Sequence, residues 1–132
     1  MGIINHKYNN AKNEPDGRFC FLETFDDKEV AELLISATEN WARDKGMDRM
    51  VGPLGFSDKD PQGLLIEGFD EPMVIATHCN YPYMVSFVEA AGYTKKVDLV
   101  VYKLVVPVVI PDFYQKIYER SIKNNNHIRV VK

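Results

Sequence analysis

Apolar residues recur along the chain with two spacings, and the switch between them marks the elements. Val30, Leu33, Leu34, Ala37 and Trp41 fall at i, i+3, i+4, i+7 and i+11, a stripe of helical period. The spacing predicts one amphipathic helix over Asp26–Lys45, with Trp41 in its core-facing stripe. Asp26 stands as N-cap, and Glu29 three residues on completes a capping-box variant with Asp in place of Ser or Thr. Gly46 follows the last turn, where a left-handed residue ends a helix. Arg18–Phe25 before it and Met47–Gly52 after it read as strands. Strand, helix and strand in this length make a βαβ crossover. A ligand is expected at the C-terminal end of the first strand, against the helix N-terminus.

The flanking segments are less regular. Residues 2–8 and 18–25 read as a strand pair joined by the polar loop Asn9–Gly17, which is turn chemistry throughout. Alternation would put Phe19, Phe21 and Glu23 on one face of the second strand and Arg18, Cys20 and Leu22 on the other. Both faces carry apolar groups, which makes that strand central to its sheet. Residues 53–79 form an insertion rich in Gly and Pro, with Leu64-Leu65-Ile66 as a brief strand or buried turn and Met73–Ala76 as a short buried strand. It is expected to fold over one face as a lid or pocket wall. Residues 80–106 supply a second helix, Tyr81–Ala91 stopped by Gly92, and a strong strand over Val97–Val106. In 107–132, Asp112 caps a last helix with apolar Phe113, Ile117, Tyr118 and Ile122, and His127–Lys132 is a candidate edge strand. The whole of 1–132 reads as one α/β domain, mixed-sheet α+β on some definitions, divided as 2–25, 26–52, 53–79, 80–106 and 107–132.

Composition narrows the function. A hydrophobic share of 45% and a charged share of 27% are those of an ordinary globular protein. A net charge of −3 gives no electrostatic footprint for nucleic acid. No apolar run reaches the ~18 residues of a membrane span, and the N-terminus lacks the apolar core of a signal peptide. Cys20 and Cys79 read as reduced thiols, which points to the cytoplasm. His6, His78 and His127 are scattered without metal-ligand spacing, so no metal is expected.

The order of elements, and Ala90-Ala91-Gly92-Tyr93 closing a helix before a strand, resemble the second half of a GNAT-type N-acetyltransferase. Asn80 matches the Asn that opens that helix. Gly52-Pro53, Phe56-Ser57, Gly63–Asp70, Asn80-Tyr81-Pro82-Tyr83 and Ile3–Asn9 resemble, more specifically, the phrases of a bacterial GNAT-like family. The resemblance covers nearly the whole chain and implies an acyl-CoA N-acyltransferase fold, N-terminally shortened to the C-terminal part of the domain. It also implies acyl transfer from acetyl-CoA or another acyl-CoA to a small-molecule amine. Where that superfamily has a Gln/Arg-x-x-Gly-x-Gly/Ala loop for the diphosphate, this chain has Thr24-Phe25-Asp26-Asp27-Lys28-Glu29-Val30. The position of its usual Tyr acid holds Val88.

Carried onto these residues, the resemblance makes Glu23 the base that deprotonates the amine and Tyr81 or Tyr83 the acid for the leaving thiolate. Helix amides at Asp27, Lys28 and Glu29 would face the cofactor, and Glu67 and Asp70 would hold a substrate ammonium. The structural alternatives are a solvent-facing Glu23, tyrosines packed at a helix start, and a turn built by Glu67 and Asp70. An alternative function is a non-catalytic GNAT-like module for binding or oligomerisation. A shortened sheet leaves an unpaired edge, which predicts a homodimer.

Overall fold

β1 (Gly2–Ile3) pairs antiparallel with β2 (Asp16–Phe19), and β2 pairs parallel with β3 (Arg49–Val51). β2 is therefore the central strand of a small mixed sheet. This computed structural model describes residues 1–57, 59–75 and 77–124, apart from the side chain of Asn124. Among the described residues four helices complete a mixed α+β architecture: α1 (His6–Lys12), α2 (Lys28–Asp44), α3 (Tyr83–Ala90) and α4 (Asp112–Asn124). Two compact units divide the chain, Met1–Leu99 with the sheet and α1–α3, and Val100–Lys132 with α4.

The expected strand, helix and strand form, but β2 begins at Asp16, within the expected polar loop, and overlaps the expected strand only at Arg18 and Phe19. The register Asp16↔Arg49, Gly17↔Met50 and Arg18↔Val51 is locked by a bidentate pair, Arg49 Nε and Nη2 donating to the buried Asp16 carboxylate at 2.7 and 2.9 Å. Gly46 and Gly92 follow α2 and α3 with φ of 77° and 93°, ending both helices in the left-handed region that side chains resist.

The face that α2 buries differs from the expected stripe. Ala31, Ile35 and Ala42 point inward, whereas Val30, Leu33, Leu34 and Trp41 lie open to solvent. The two stripes stand about a third of a turn apart at 3.6 residues per turn. Close approach is the reason: a Cβ added to Gly17 of β2 would lie 2.9 Å from the Ala42 Cβ, so only small residues fit between helix and strand. The cap also moves by one residue. Asp27 is extended, and its Oδ1 accepts from the Glu29 and Val30 amides, while the chain is still turning at Asp26.

Three segments correct the sequence reading. Residues 6–12, taken as strand and polar loop, form α1, because the Asn5 side chain caps it by accepting from Tyr8 N–H. The second strand stops at Phe19 instead of continuing to Phe25, since Phe21 takes φ 51° and breaks the alternation. Residues 97–106 are no strand. Their side chains are exposed, and a strand without a ladder partner has nothing to hold it extended. In the insertion, Met73, Val74 and Ile75 are exposed rather than buried, and Ala76 lies outside the described residues. Leu64 does pack on the core, in a segment that is neither strand nor turn. The expected edge strand at 127–132 lies outside the described residues.

The core of the first unit is Phe19, Leu22, Ile35, Met84 and Val88, with Met50, Leu64, Tyr83 and Tyr93 packed around it. Arg18 is buried at the far side of β2, under the Tyr8 ring at 4.6 Å and donating to the Gly55 carbonyl at 3.1 Å.

Asp16→Asn is expected to cost about 1–3 kcal/mol, read from the urea midpoint, because a charge-assisted pair across the crossover is lost. A thiol reagent should label exposed Cys79 at once and buried Cys20 only on unfolding. Burial raises the Cys20 thiol above its ordinary value and keeps it protonated.

Candidate functional site

Beyond Phe19 the chain leaves the sheet and reaches the start of α2 through Cys20–Asp27. Leu22 returns to the core while Phe21 and Glu23 stay at the surface. Phe21, Leu22, Glu23, Leu34, Ile35 and Thr38 line a cavity of about 170 Å³ between this segment and α2, with Cys20 in its wall. Glu23 thus sits on the lip of a pocket of mixed polar and apolar lining, which Met1 also walls, its amino group donating to the Cys20 carbonyl at 2.9 Å.

α3 delivers two phenols to the same region. Tyr83 O–H donates to the Thr24 carbonyl at 3.0 Å, tying the start of α3 to the loop after β2. Tyr81 stacks on Tyr83 with ring centroids 5.5 Å apart and planes at 13°. Its own hydroxyl has no partner among the described residues. Desolvation raises the Tyr83 phenol above its ordinary value, and the Glu23 and Asp26 carboxylates and Tyr81 add to the effect. Glu23 and Tyr81 therefore both lie close enough to Tyr83 to act on its phenol.

Asn80 positions both tyrosines. Buried at 7% exposure, its side-chain amide accepts from Leu65 N–H at 2.6 Å and donates to the Leu65 and Tyr81 carbonyls at 3.2 and 3.0 Å. The insertion is thereby stitched to the head of α3. Tyr93, just past α3, donates to Glu39 of α2 at 2.8 Å and stacks edge-on against Phe19.

The remaining expected residues stand apart from the cavity. The amides of Glu29 and Val30 are occupied by Asp27, and Lys28 pairs with Glu32 at 3.2 Å, so an incoming diphosphate would have to displace the cap. Glu67 and Asp70 are exposed on a turn in which Glu71 N–H donates to the Gly68 carbonyl. Sequence reasoning missed the Asn80–Leu65 clamp and the Tyr83–Thr24 bond, which join residues 15 and 59 positions apart and leave no periodic signal. Among the described residues no cluster of His, Cys, Asp and Glu is placed to hold a metal ion, and no helix is long and apolar enough to cross a membrane.

Fold and site together define a small mixed α+β unit in which a carboxylate of the crossover and two phenols from the head of α3 stand beyond the carboxyl end of the central strand. Two known proteins are similar in sequence. Bacterial ceramide synthase of Caulobacter vibrioides (strain NA1000 / CB15N) is 33% identical over 114 residues, covering 86% of this chain and 30% of that protein. Protein YghO of Escherichia coli (strain K12) is 34% identical over 83 residues, covering 63% of this chain and 21% of that protein. The chain thus spans less than a third of the length of either relative. No protein-family profile matches it, and no solved structure does.

Tyr83→Phe is expected to lower the urea midpoint of the first unit, because the bond to Thr24 is lost, and Tyr81→Phe to leave that midpoint nearly unchanged. Tyr83 and Tyr93 both hold their protons more tightly when folded than the ordinary tyrosine value of about 10. Their contribution to stability is complete below that pH and falls as pH rises through the raised values. Ultraviolet titration should show two phenols ionising late, one of which Tyr93→Phe removes.

Proposed function

We propose that this chain is the acyl-transfer part of an N-acyltransferase that forms an amide on a long-chain amine, with an acyl-CoA as donor. The supporting observation is the 33% identity, over 86% of the chain, with a protein named for making ceramide. A ceramide is the N-acyl derivative of a long-chain amino alcohol, so that name and the resemblance of this sequence to N-acyltransferases describe the same bond.

In this reading the Glu23 carboxylate takes the proton from the acceptor nitrogen as it attacks the thioester carbonyl. The tetrahedral adduct collapses, the carbon–sulfur bond breaks, and Tyr81 gives its proton to the departing thiolate. Tyr81 suits this better than Tyr83, whose hydroxyl is committed to the Thr24 carbonyl. Tyr83 and Asn80 fix the backbone on either side. The donor's diphosphate does not fit the start of α2 as it stands, because Asp27 fills the amides and Asp26 and Glu29 add negative charge. That same observation favours a second reading, a binding module of acyltransferase ancestry without turnover. The two free cysteines suit the cytoplasm as its compartment.

The test is incubation of the full chain with palmitoyl-CoA and a long-chain amino alcohol, reading amide by mass spectrometry and released thiol in parallel. Glu23→Gln is expected to lower the rate about 100-fold or more, with amide formed and thiol released in equal amounts. Asp27→Ser, which keeps a cap and removes a charge, should tighten calorimetric binding of the donor about two- to fivefold. A folded chain that binds the donor without turnover would establish the second reading.

A further inference from the structure

α2 has two apolar faces; one is buried by the fold, and the other is only partly covered, where Trp41 lies against Gly2 of β1. Ala31, Ile35 and Ala42 pack on the sheet, while Val30, Leu33, Leu34 and Trp41 form a second stripe in the open, Leu33 being 70% exposed. This stripe is continuous with the cavity. Leu34 belongs to both, and Thr38 of the cavity wall and Trp41 both lie against Gly2, where an added Cβ would meet them at 3.0 and 2.8 Å. Leu34 and Trp41 are two turns apart on one side of the helix, about 10 Å at the helical rise. Exposed Phe21 and Phe25 extend the apolar surface at the end nearer Glu23. At that end stand the carboxylates of Glu23, Asp26, Asp27 and Glu29, outnumbering two cations that are already engaged, Lys28 with Glu32 and the Met1 ammonium with the Cys20 carbonyl. A narrow apolar track thus ends at a carboxylate lip, the complement of a hydrocarbon tail with a cationic head.

We infer that the outer face of α2 and the adjoining cavity seat the alkyl tail of a long-chain amine, whose ammonium rests at Glu23. This deepens the proposed function and rests on it for the identity of the amine as acceptor. The acidic lip selects the amine over a fatty carboxylate or the acyl tail of the donor.

Trp41 is the single tryptophan of the chain and stands on the track, so it reports occupancy without any turnover. The full chain is titrated with a dibrominated octadecylamine below its critical micelle concentration, with dibrominated octadecanoic acid as the second arm. Saturable quenching of Trp41 by the amine is expected, at least tenfold tighter than by the acid. Shortening the amine should weaken binding roughly three- to fourfold per methylene until the track is no longer covered. Leu34→Gln, which preserves helix propensity, should weaken it at least tenfold, and Val74→Gln in the insertion should leave it unchanged.

Equal quenching by the acid, no quenching by either probe, or an unchanged titration in Leu34→Gln with helix content retained would each overturn the inference. So would a concentration-dependent dimer in sedimentation velocity that shields Trp41 from both probes. Saturable, amine-selective quenching without amide formation would leave this seat standing and remove the acyl-transfer reading. Amide formation that is indifferent to amine chain length would do the reverse.

Discussion

Phe19 is where the parts of the first unit meet. Its ring is buried among Leu22, Ile35, Met84 and Val88 and stands edge-on to Tyr93 at 5.2 Å, so one aromatic group joins β2, α2 and α3. Its backbone pairs with Gly2 on one side, and its carbonyl accepts from Leu54 N–H at 2.8 Å on the other. A Cβ at residue 52 would fall 2.5 Å from both the ring and the carbonyl, which leaves glycine as the residue that lets β3 pass. Fully burying such a side chain is worth about 1.5–3 kcal/mol, and a truncation would also leave a cavity shared by every element.

Because Phe19 holds the end of the strand so firmly, the residues after it must turn away. Phe21 takes the left-handed conformation, Leu22 falls back onto the core, and Glu23 is left at the surface beside a cavity. The break in the strand creates the candidate site. Long-range hydrogen bonds then set its geometry: Tyr83 grips Thr24, Asn80 grips Leu65, and Tyr93 grips Glu39. They draw α3 and the insertion around the lip, which brings phenols of α3 next to a carboxylate nearly sixty residues earlier in the chain.

α2 links this arrangement to the proposed chemistry. Its N-terminus is closed by Asp27, which makes it a poor seat for a diphosphate. Its small-residue face lets it lie close over Gly17, and that close packing turns the larger apolar residues outward. A helix that gives Ala31, Ile35 and Ala42 to the core and leaves Leu33 and Leu34 exposed offers a surface for the proposed ligand.

The sequence by itself determined the order strand, helix, strand of the crossover, the central place of β2, and the glycine stops of α2 and α3. Each depends on local signals: helical period, left-handed glycines, and apolar groups on both faces of a strand. Tertiary structure decided which face of α2 is buried, because two stripes of helical period overlap and only the Gly17–Ala42 approach chooses between them. It decided that the strand ends at Phe19, since a bound ring and a left-handed Phe21 outweigh the β propensity of the residues beyond. It also left 97–106 without strand structure despite its β-branched composition. Propensity describes what a segment can do, but a strand exists only when another strand supplies its hydrogen bonds.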